Sequence, residues 1–194
     1  NVAKEWVDMD AAAQEQLAQK LVAQGNVKVL APDAQASALL ADYKKQVDVK
    51  KAQVIGTNAA PLCLVRTPGE STNRSGGVAG CEKANTQAKG SDVAQVVAEA
   101  FLHGSLAANI AIQNAGGVRI PMASGLLTLN DVFKVLPFSN VLVELRLSGQ
   151  QIKDTLEETV ASYLDAKQSN AAHPYAAGLR WDLDMSRKAG ERFS

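Results

Sequence analysis

The sequence predicts an α+β fold of mixed α/β order, with helices packed on mixed sheets. Three observations carry this. Segments of helical periodicity alternate with short apolar runs along the whole length. No internal repeat or low-complexity linker interrupts them. At 194 residues, 46% of them hydrophobic and 21% charged, the chain is long enough for one good-sized domain with a real core.

Asp10 is an N-cap for a first helix, with Leu17, Leu21 and Val22 on one stripe and Gly25 as its stop. Residues 27–30 read as a short strand. Pro32-Asp33 opens a second helix whose Leu39, Leu40, Tyr43 and Val47 share an apolar face, with Lys44, Lys45 and Gln46 on a solvated side. Residues 53–55 and 62–65 are strand-like.

Residues 67–90 are rich in Gly, Ser, Thr and Asn. A loop this long is functional or tied down. The only two cysteines, Cys63 and Cys81, bracket much of it, at positions that do not read as core. Two free thiols would satisfy the sequence, but a disulfide is favoured. It would contribute roughly 3 kcal/mol through loop entropy and require an oxidising compartment. The spacing, with no further Cys or nearby His, speaks against zinc.

Ser91 caps a helix with Val93, Val96, Val97, Ala100 and Phe101 at helical spacing, ending at Gly104. Residues 108–113 read as a buried strand running into Asn114-Ala115-Gly116-Gly117-Val118-Arg119. A short helix over residues 131–136, capped by Asn130, stops at Pro137-Phe138. Residues 140–147 alternate, with Val141, Val143, Leu145 and Leu147 on one face and Glu144 and Arg146 on the other, which predicts a strand. Ser148 and Gln151 form a capping box for a helix that turns Ile152, Leu156, Val160 and Leu164 inward. Leu179, Trp181, Leu183 and Met185 form a last alternating strand.

Charge excludes one class of function. With 20 basic and 20 acidic side chains the net charge is zero. That argues against binding nucleic acid polymers, which needs a basic face. No apolar run reaches the ~18 residues of a membrane span. The polar start at Asn1, without Met, suggests a chain cut or processed from something larger.

Catalytic and metal constellations are missing from the sequence. His103 and His173 are the only histidines. The first suits a helix C-terminus, and the second sits beside Pro174 with no acidic residue closer in sequence than Asp165. Neither forms a metal-binding pattern. The informative segment is Gln113-Asn114-Ala115-Gly116-Gly117-Val118-Arg119. A strand entering a Gly pair lets backbone amides approach a ligand. The Asn amide donates and accepts, and the guanidinium offers fork-like donors to a phosphate or sugar oxygen. A structural tight turn accounts equally well for the glycines.

Asn114-Ala115-Gly116-Gly117-Val118-Arg119, followed by Leu136-Pro137-Phe138, a Val/Leu-rich segment and a capped helix, resembles the C-terminal domain of 5'-nucleotidases, a family that includes UDP-sugar hydrolases and ecto-5'-nucleotidases. The likeness extends from residue 32 to the end. Ala31-Pro32-Asp33 through Lys44 is similar to the helix leading into that domain. Gly90-Ser91-Asp92-Val93 resembles the start of its next helix, and residues 183–192 its late strand and turn. The Cys-bracketed loop and Gln113-Asn114-Ala115 are most similar to bacterial NAD-nucleotidase-like members.

The resemblance implies that Asn114, Gly116, Gly117 and Arg119 contact a nucleotide, with Phe138 as one wall of a slot for the base. The bland alternative for Phe138 is a core residue at a helix end. Among Arg66, Arg74 and Lys83, all available for a further substrate contact, Arg66 is preferred. No catalytic residue is expected in this chain. The family's catalytic half is an N-terminal metallophosphoesterase domain with two divalent metal ions. Residues 1–31 would be the link from it, and residues 32–194 the C-terminal domain, truncated at its end. The family's second clamp aromatic lies beyond Ser194, and Phe193 comes too early to replace it.

The implied parent is a secreted, periplasmic or extracellular hydrolase of AMP and other 5'-nucleotides, with NAD or UDP-sugars as further candidates. The isolated chain would be inactive. The rivals are a nucleotide- or sugar-binding module without a hydrolytic partner, and a purely structural domain whose Gly pair is only a turn.

Overall fold

A computed structural model describes residues 9–25, 28, 30, 32–66, 74–75, 77–86 and 89–194. The strand expected over residues 27–30 lies outside them apart from Lys28 and Leu30. Two compact units divide the chain, Asn1–Asp48 and Val49–Ser194.

In the first unit, α1 (Ala11–Ala23) begins as expected. The Asp10 carboxylate accepts the Ala13 N–H at 2.8 Å, satisfying a donor that the first turn would leave open. Ala18 is its buried residue, between the partly buried Leu17 and Leu21. Helix α2 (Ala34–Lys51) starts with the same device, Asp33 accepting from Ala36 N–H at 2.8 Å. It has no buried residue, so the apolar face of Leu39, Leu40, Tyr43 and Val47 is exposed. Lys44 and Asp48 pair one turn apart on the polar side.

The second unit is built on two small antiparallel sheets. β1 (Val54–Asn58) pairs with β3 (Gly125–Thr128) through a bulge between Val54 and Gly56. β2 (Ala111–Asn114) pairs with β4 (Pro174–Ala177) in the register Ala111↔Ala177 to Asn114↔Pro174. A short α3 (Lys83–Thr86) lies in the long loop. Helix α4 (Asp92–Gly104) packs against β2 and β4. Its Val93, Ala94 and Val97 join Leu64, Ala115, Val118, Val135 and Tyr175 in the main core, while Val96 faces outward. A second cluster unites Leu156 and Val160 of α6 (Gly149–Leu164) with Phe193, whose ring meets Trp181 edge-on at 5.9 Å. The capping box of Ser148 and Gln151 opens α6 as predicted.

Several expected elements differ. Helix α5 (Leu129–Val135) starts two residues earlier than Asn130 as cap would give. Thr128 and Asp131 form the capping box, because Asp131 accepts both the N–H and the hydroxyl of Thr128. Residues 62–65 contribute one bridge, Leu62↔Met122, rather than a strand. The strand expected over 108–113 is shorter and half-buried, as Ala111–Asn114, and its residues line a cleft. Residues 179–185 supply only the bridge Leu183↔Phe193. Residues 140–147 form no ladder with any described residue, despite their alternation.

Cys63 and Cys81 form the disulfide, with their Cα atoms 5.4 Å apart. Both are buried, against the expectation that neither was core. The reason is their neighbourhood. The Cys63 carbonyl accepts from the Ser91 hydroxyl and the Val93 N–H, each at 3.2 Å, so the crosslink anchors the start of α4 over the core. Replacing both residues, Cys63→Ser with Cys81→Ser, should lower unfolding free energy by about 3 kcal/mol. Urea midpoints with and without reductant test this, since reductant should shift the parent and leave the double variant unmoved.

Candidate functional site

The Gly-Gly motif is a turn braced from across the sheet. β2 ends at Asn114, and Ala115–Gly117 form a single 3-10 turn. Against it lies a second 3-10 turn, Asn170–Ala172, just before β4. The Ala115 N–H donates to the His173 carbonyl at 2.8 Å, and Asn114 Nδ2 to the Ala171 carbonyl at 3.2 Å. Asn170 Nδ2 reaches the Arg66 carbonyl at 3.2 Å, tying a third segment to the pair.

Space, rather than backbone angle, requires these glycines, since neither has a positive φ. A Cβ on Gly116 would lie 2.8 Å from Ala171 Cβ and 3.2 Å from its carbonyl oxygen. A Cβ on Gly117 would fall 2.2 Å from Gln113 Nε2. That amide donates to the Asn114 carbonyl at 2.8 Å and to Asn114 Oδ1 at 3.1 Å. Gln113 thus fixes the Asn114 side chain, a role sequence spacing did not single out. After two internal bonds, the Asn114 amide retains one N–H and one acceptor site.

Asn114 and Gly117 line a cleft of about 710 Å³ together with Phe138. Phe138 is 52% exposed, so it is not the buried helix-end residue of the bland alternative. The Arg119 guanidinium sits 5.7 Å from the centroid of its ring, within cation–π range. It is held there because Arg119 Nη1 donates to the Gly116 carbonyl at 3.1 Å and its N–H to Val135 O at 2.9 Å. Arg119 meets the cleft through Phe138 and does not itself line it. Ser139, Asn140, Leu142 and Glu144 form further wall. Arg66 is 5% exposed and does not line this cleft; Arg74 and Lys83 are exposed on the long loop. Among the described residues, no group of three or more His, Cys, Asp or Glu could hold a metal ion, and no helix is long and apolar enough to cross a membrane.

His173, which supplies the brace carbonyl, is buried at 8% exposure and packs edge-on to Tyr175 at 5.3 Å. Its Nδ1 is buried without a hydrogen-bond partner. Desolvation lowers its pKa to about 4, so the ring is neutral at pH 7.

The described residues thus form an α+β domain in which an arginine-flanked aromatic and a braced Gly-Gly turn meet one cleft. The comparisons with known proteins specify the family. The family model described as 5'-nucleotidase, C-terminal domain, matches residues 67–194, and the chain belongs to that family. It is 27% identical over 189 residues to the NAD 5'-nucleotidase of Haemophilus influenzae, covering 97% of this chain and 30% of that protein. The solved structure of the H. influenzae NAD nucleotidase shares the fold, with a TM-score of 0.63 at 24% identity, over 95% of this chain and 31% of that one. The 5'-nucleotidase precursor of Thermus thermophilus matches with a TM-score of 0.58 and 28% identity, over 81% of this chain and 28% of that one. The chain therefore spans less than a third of the length of these relatives.

Two outcomes follow from the brace. Gly116→Ala should destabilise by about 1–3 kcal/mol through overpacking, whereas Gly117→Ala should cost less because a flexible Gln113 amide can swing away. Adding Ala171→Gly to Gly116→Ala should recover much of the loss in denaturant midpoints, and no recovery would locate the strain elsewhere. For His173, the folded pKa near 4 lies below the ordinary 6.5. The unfolded chain therefore binds the extra proton between those values, so stability is intact above pH 6.5 and falls as pH drops towards 4. The parent should lose about 2 kcal/mol more than His173→Gln between pH 7 and pH 5. Equal losses in the two proteins would refute this.

Proposed function

We propose that this chain is the substrate-binding domain of a secreted 5'-nucleotidase-type phosphohydrolase. It holds the nucleoside of a 5'-nucleotide such as AMP while hydrolysis occurs on a metallophosphoesterase domain outside residues 1–194. The carrying observation is Phe138, half-exposed in the cleft that Asn114 and Gly117 also line, with the Arg119 guanidinium beside its ring. An accessible aromatic face stacks any base with about 1–3 kcal/mol and little selectivity. Arg119 spends one guanidinium bond on Gly116 and has further donors for a sugar or phosphate oxygen. Holding the nucleoside supplies the positional part of catalysis.

The metals implied by the family do not fit the described residues, which gather no ligand set. No chemical step is assigned to this chain, and two divalent ions would belong to the partner domain. The name of the H. influenzae relative brings NAD forward as a substrate beside AMP. Family membership keeps UDP-sugars on the same list. A periplasmic or extracellular location agrees with the disulfide, which persists in oxidising compartments. Arg66 enters this reading as a further substrate contact only if its buried side chain turns toward the ligand.

The test is phosphate release from AMP with added divalent metal, using the full-length parent protein, its Phe138→Ala variant and the 194-residue chain. The parent should be active, the folded variant should show KM raised on the order of tenfold, and the isolated chain should release nothing. An unchanged KM would remove Phe138 from the slot. A parent silent on every nucleotide and metal would replace the hydrolase with a binding module.

A further inference from the structure

The carboxamide of Gln113 is built into the Gly-Gly turn. The residue is half-buried on β2 and lines the cleft beside Asn114 and Gly117. Its amide lies over Gly117, where a Cβ would come 2.2 Å from Nε2 and 3.3 Å from Cδ. The second glycine of the pair therefore makes room for this amide, as the first does for Ala171. A side chain seated in a space that only glycine leaves belongs to the construction of the site.

Two backbone carbonyls decide which way round the neighbouring amides stand. Gln113 Nε2 donates to the Asn114 carbonyl at 2.8 Å, and Asn114 Nδ2 to the Ala171 carbonyl at 3.2 Å. Turning either amide over would set oxygen against oxygen. With both fixed, Gln113 Nε2 also donates to Asn114 Oδ1, at 3.1 Å. Its two hydrogens then have two acceptors. No described residue donates to Gln113 Oε1. The pair keeps for a ligand one N–H of Asn114, a lone pair on Asn114 Oδ1 and the Oε1 acceptor of Gln113.

Such a corner is neutral and richer in acceptors than in donors. A phosphate oxygen only accepts, so it could use the single N–H and would face two oxygens of its own kind. A hydroxyl or amino group suits the corner because it donates. We propose that Gln113 is a specificity-determining residue of the cleft. Its Oε1 accepts a hydrogen bond from a neutral donor on the nucleoside, a sugar hydroxyl or an amino group of the base. The phosphate is turned away from this corner. A site of this kind rejects an analogue that lacks the donor, because its own acceptor is then left unpaired. The inference rests on the proposed reading that this cleft holds a nucleoside.

Calorimetric titration of the full-length parent, without metal, tests it with adenosine, 2'-deoxyadenosine, 3'-deoxyadenosine and purine riboside, which lacks the amino group. One analogue should bind about tenfold more weakly than adenosine. Gln113→Met keeps the length and loses the polar head, and in it that ratio should collapse to about one. A deoxy analogue singled out in this way identifies a sugar hydroxyl as the donor, and purine riboside identifies the base amino group. Loss of the two bonds to Asn114 weakens every ligand by a common factor, so only the ratio reports the Oε1 contact. Uniform weakening with every ratio kept would reduce Gln113 to a structural role and overturn the inference. A parent that binds the analogues as tightly as adenosine would overturn it without any variant, so a poorly folded variant cannot hide the answer. A parent with the Gln113-dependent ratio but no phosphate release from AMP would sink the proposed hydrolase alone. An active parent whose ratios survive Gln113→Met would sink the role of Gln113 alone.

Discussion

The close approach of Gly116 to Ala171 is the contact on which the site depends. With a hydrogen in place of a Cβ, two 3-10 turns lie against each other. Only at that separation does the Ala115 N–H reach the His173 carbonyl and Asn114 Nδ2 the Ala171 carbonyl. Those bonds continue the β2–β4 register past its last pair, Asn114↔Pro174. They also deliver Ala115 and Val118 to the core and leave Arg119 facing Phe138. The same brace draws in Arg66 through Asn170, and Val65 through the Tyr175 hydroxyl, which donates to its carbonyl. Segments some hundred residues apart in sequence thus close on one turn. The loop entropy of that closure is opposed by core burial and by the crosslink anchoring α4.

A chain of zero net charge can still carry a locally exposed cation. Some of its charge is engaged within the fold. The Asp165 carboxylate accepts two bonds from Arg192 at 2.9 and 2.7 Å, and the Arg192 hydrogen bond holds its pKa below the usual range. Buried Glu157 accepts the N–H groups of Gly190 and Phe193 at 2.9 and 2.8 Å, which pins the last residues onto α6. Arg119 differs in being exposed and aimed along an aromatic face. Composition therefore argues against binding driven by counterion release but says nothing about one well-placed guanidinium.

What could be read from the sequence was what short-range chemistry dictates. Asp10, Ser91 and the Ser148–Gln151 box each satisfy donors within four residues, so their helices start where the side chains say. The stripe of Leu156 and Val160 faces a core for the same local reason. Asn130 failed as a cap because Thr128 and Asp131 together satisfy more donors than Asn130 alone would. Long-range facts were not legible. The Gly pair was visible as a place of close approach, but nothing near it names Ala171 as the atom approached. Buried Cys63 looked like a loop residue because its carbonyl meets Ser91 and Val93 at the distant start of α4, and the disulfide ties Cys81 to it. Alternation predicted a strand over 140–147 that pairs with no described residue, because ladder formation needs a partner that periodicity cannot supply.

The walls of the cleft differ in how they are held. Asn114 and Gly117 belong to the turn that the Ala115–His173 and Asn114–Ala171 bonds fix. Phe138 lies beside the Arg119 guanidinium, which is itself bonded to the Gly116 carbonyl. Residues 139–144 make no backbone bond to any described residue, and the Glu144 carboxylate ties them to Leu106 and Ala107. One wall is therefore set by backbone bonds across two turns and the other by a single side chain. A ligand that uses the first wall meets groups already in place, so less of its binding free energy goes into ordering the protein.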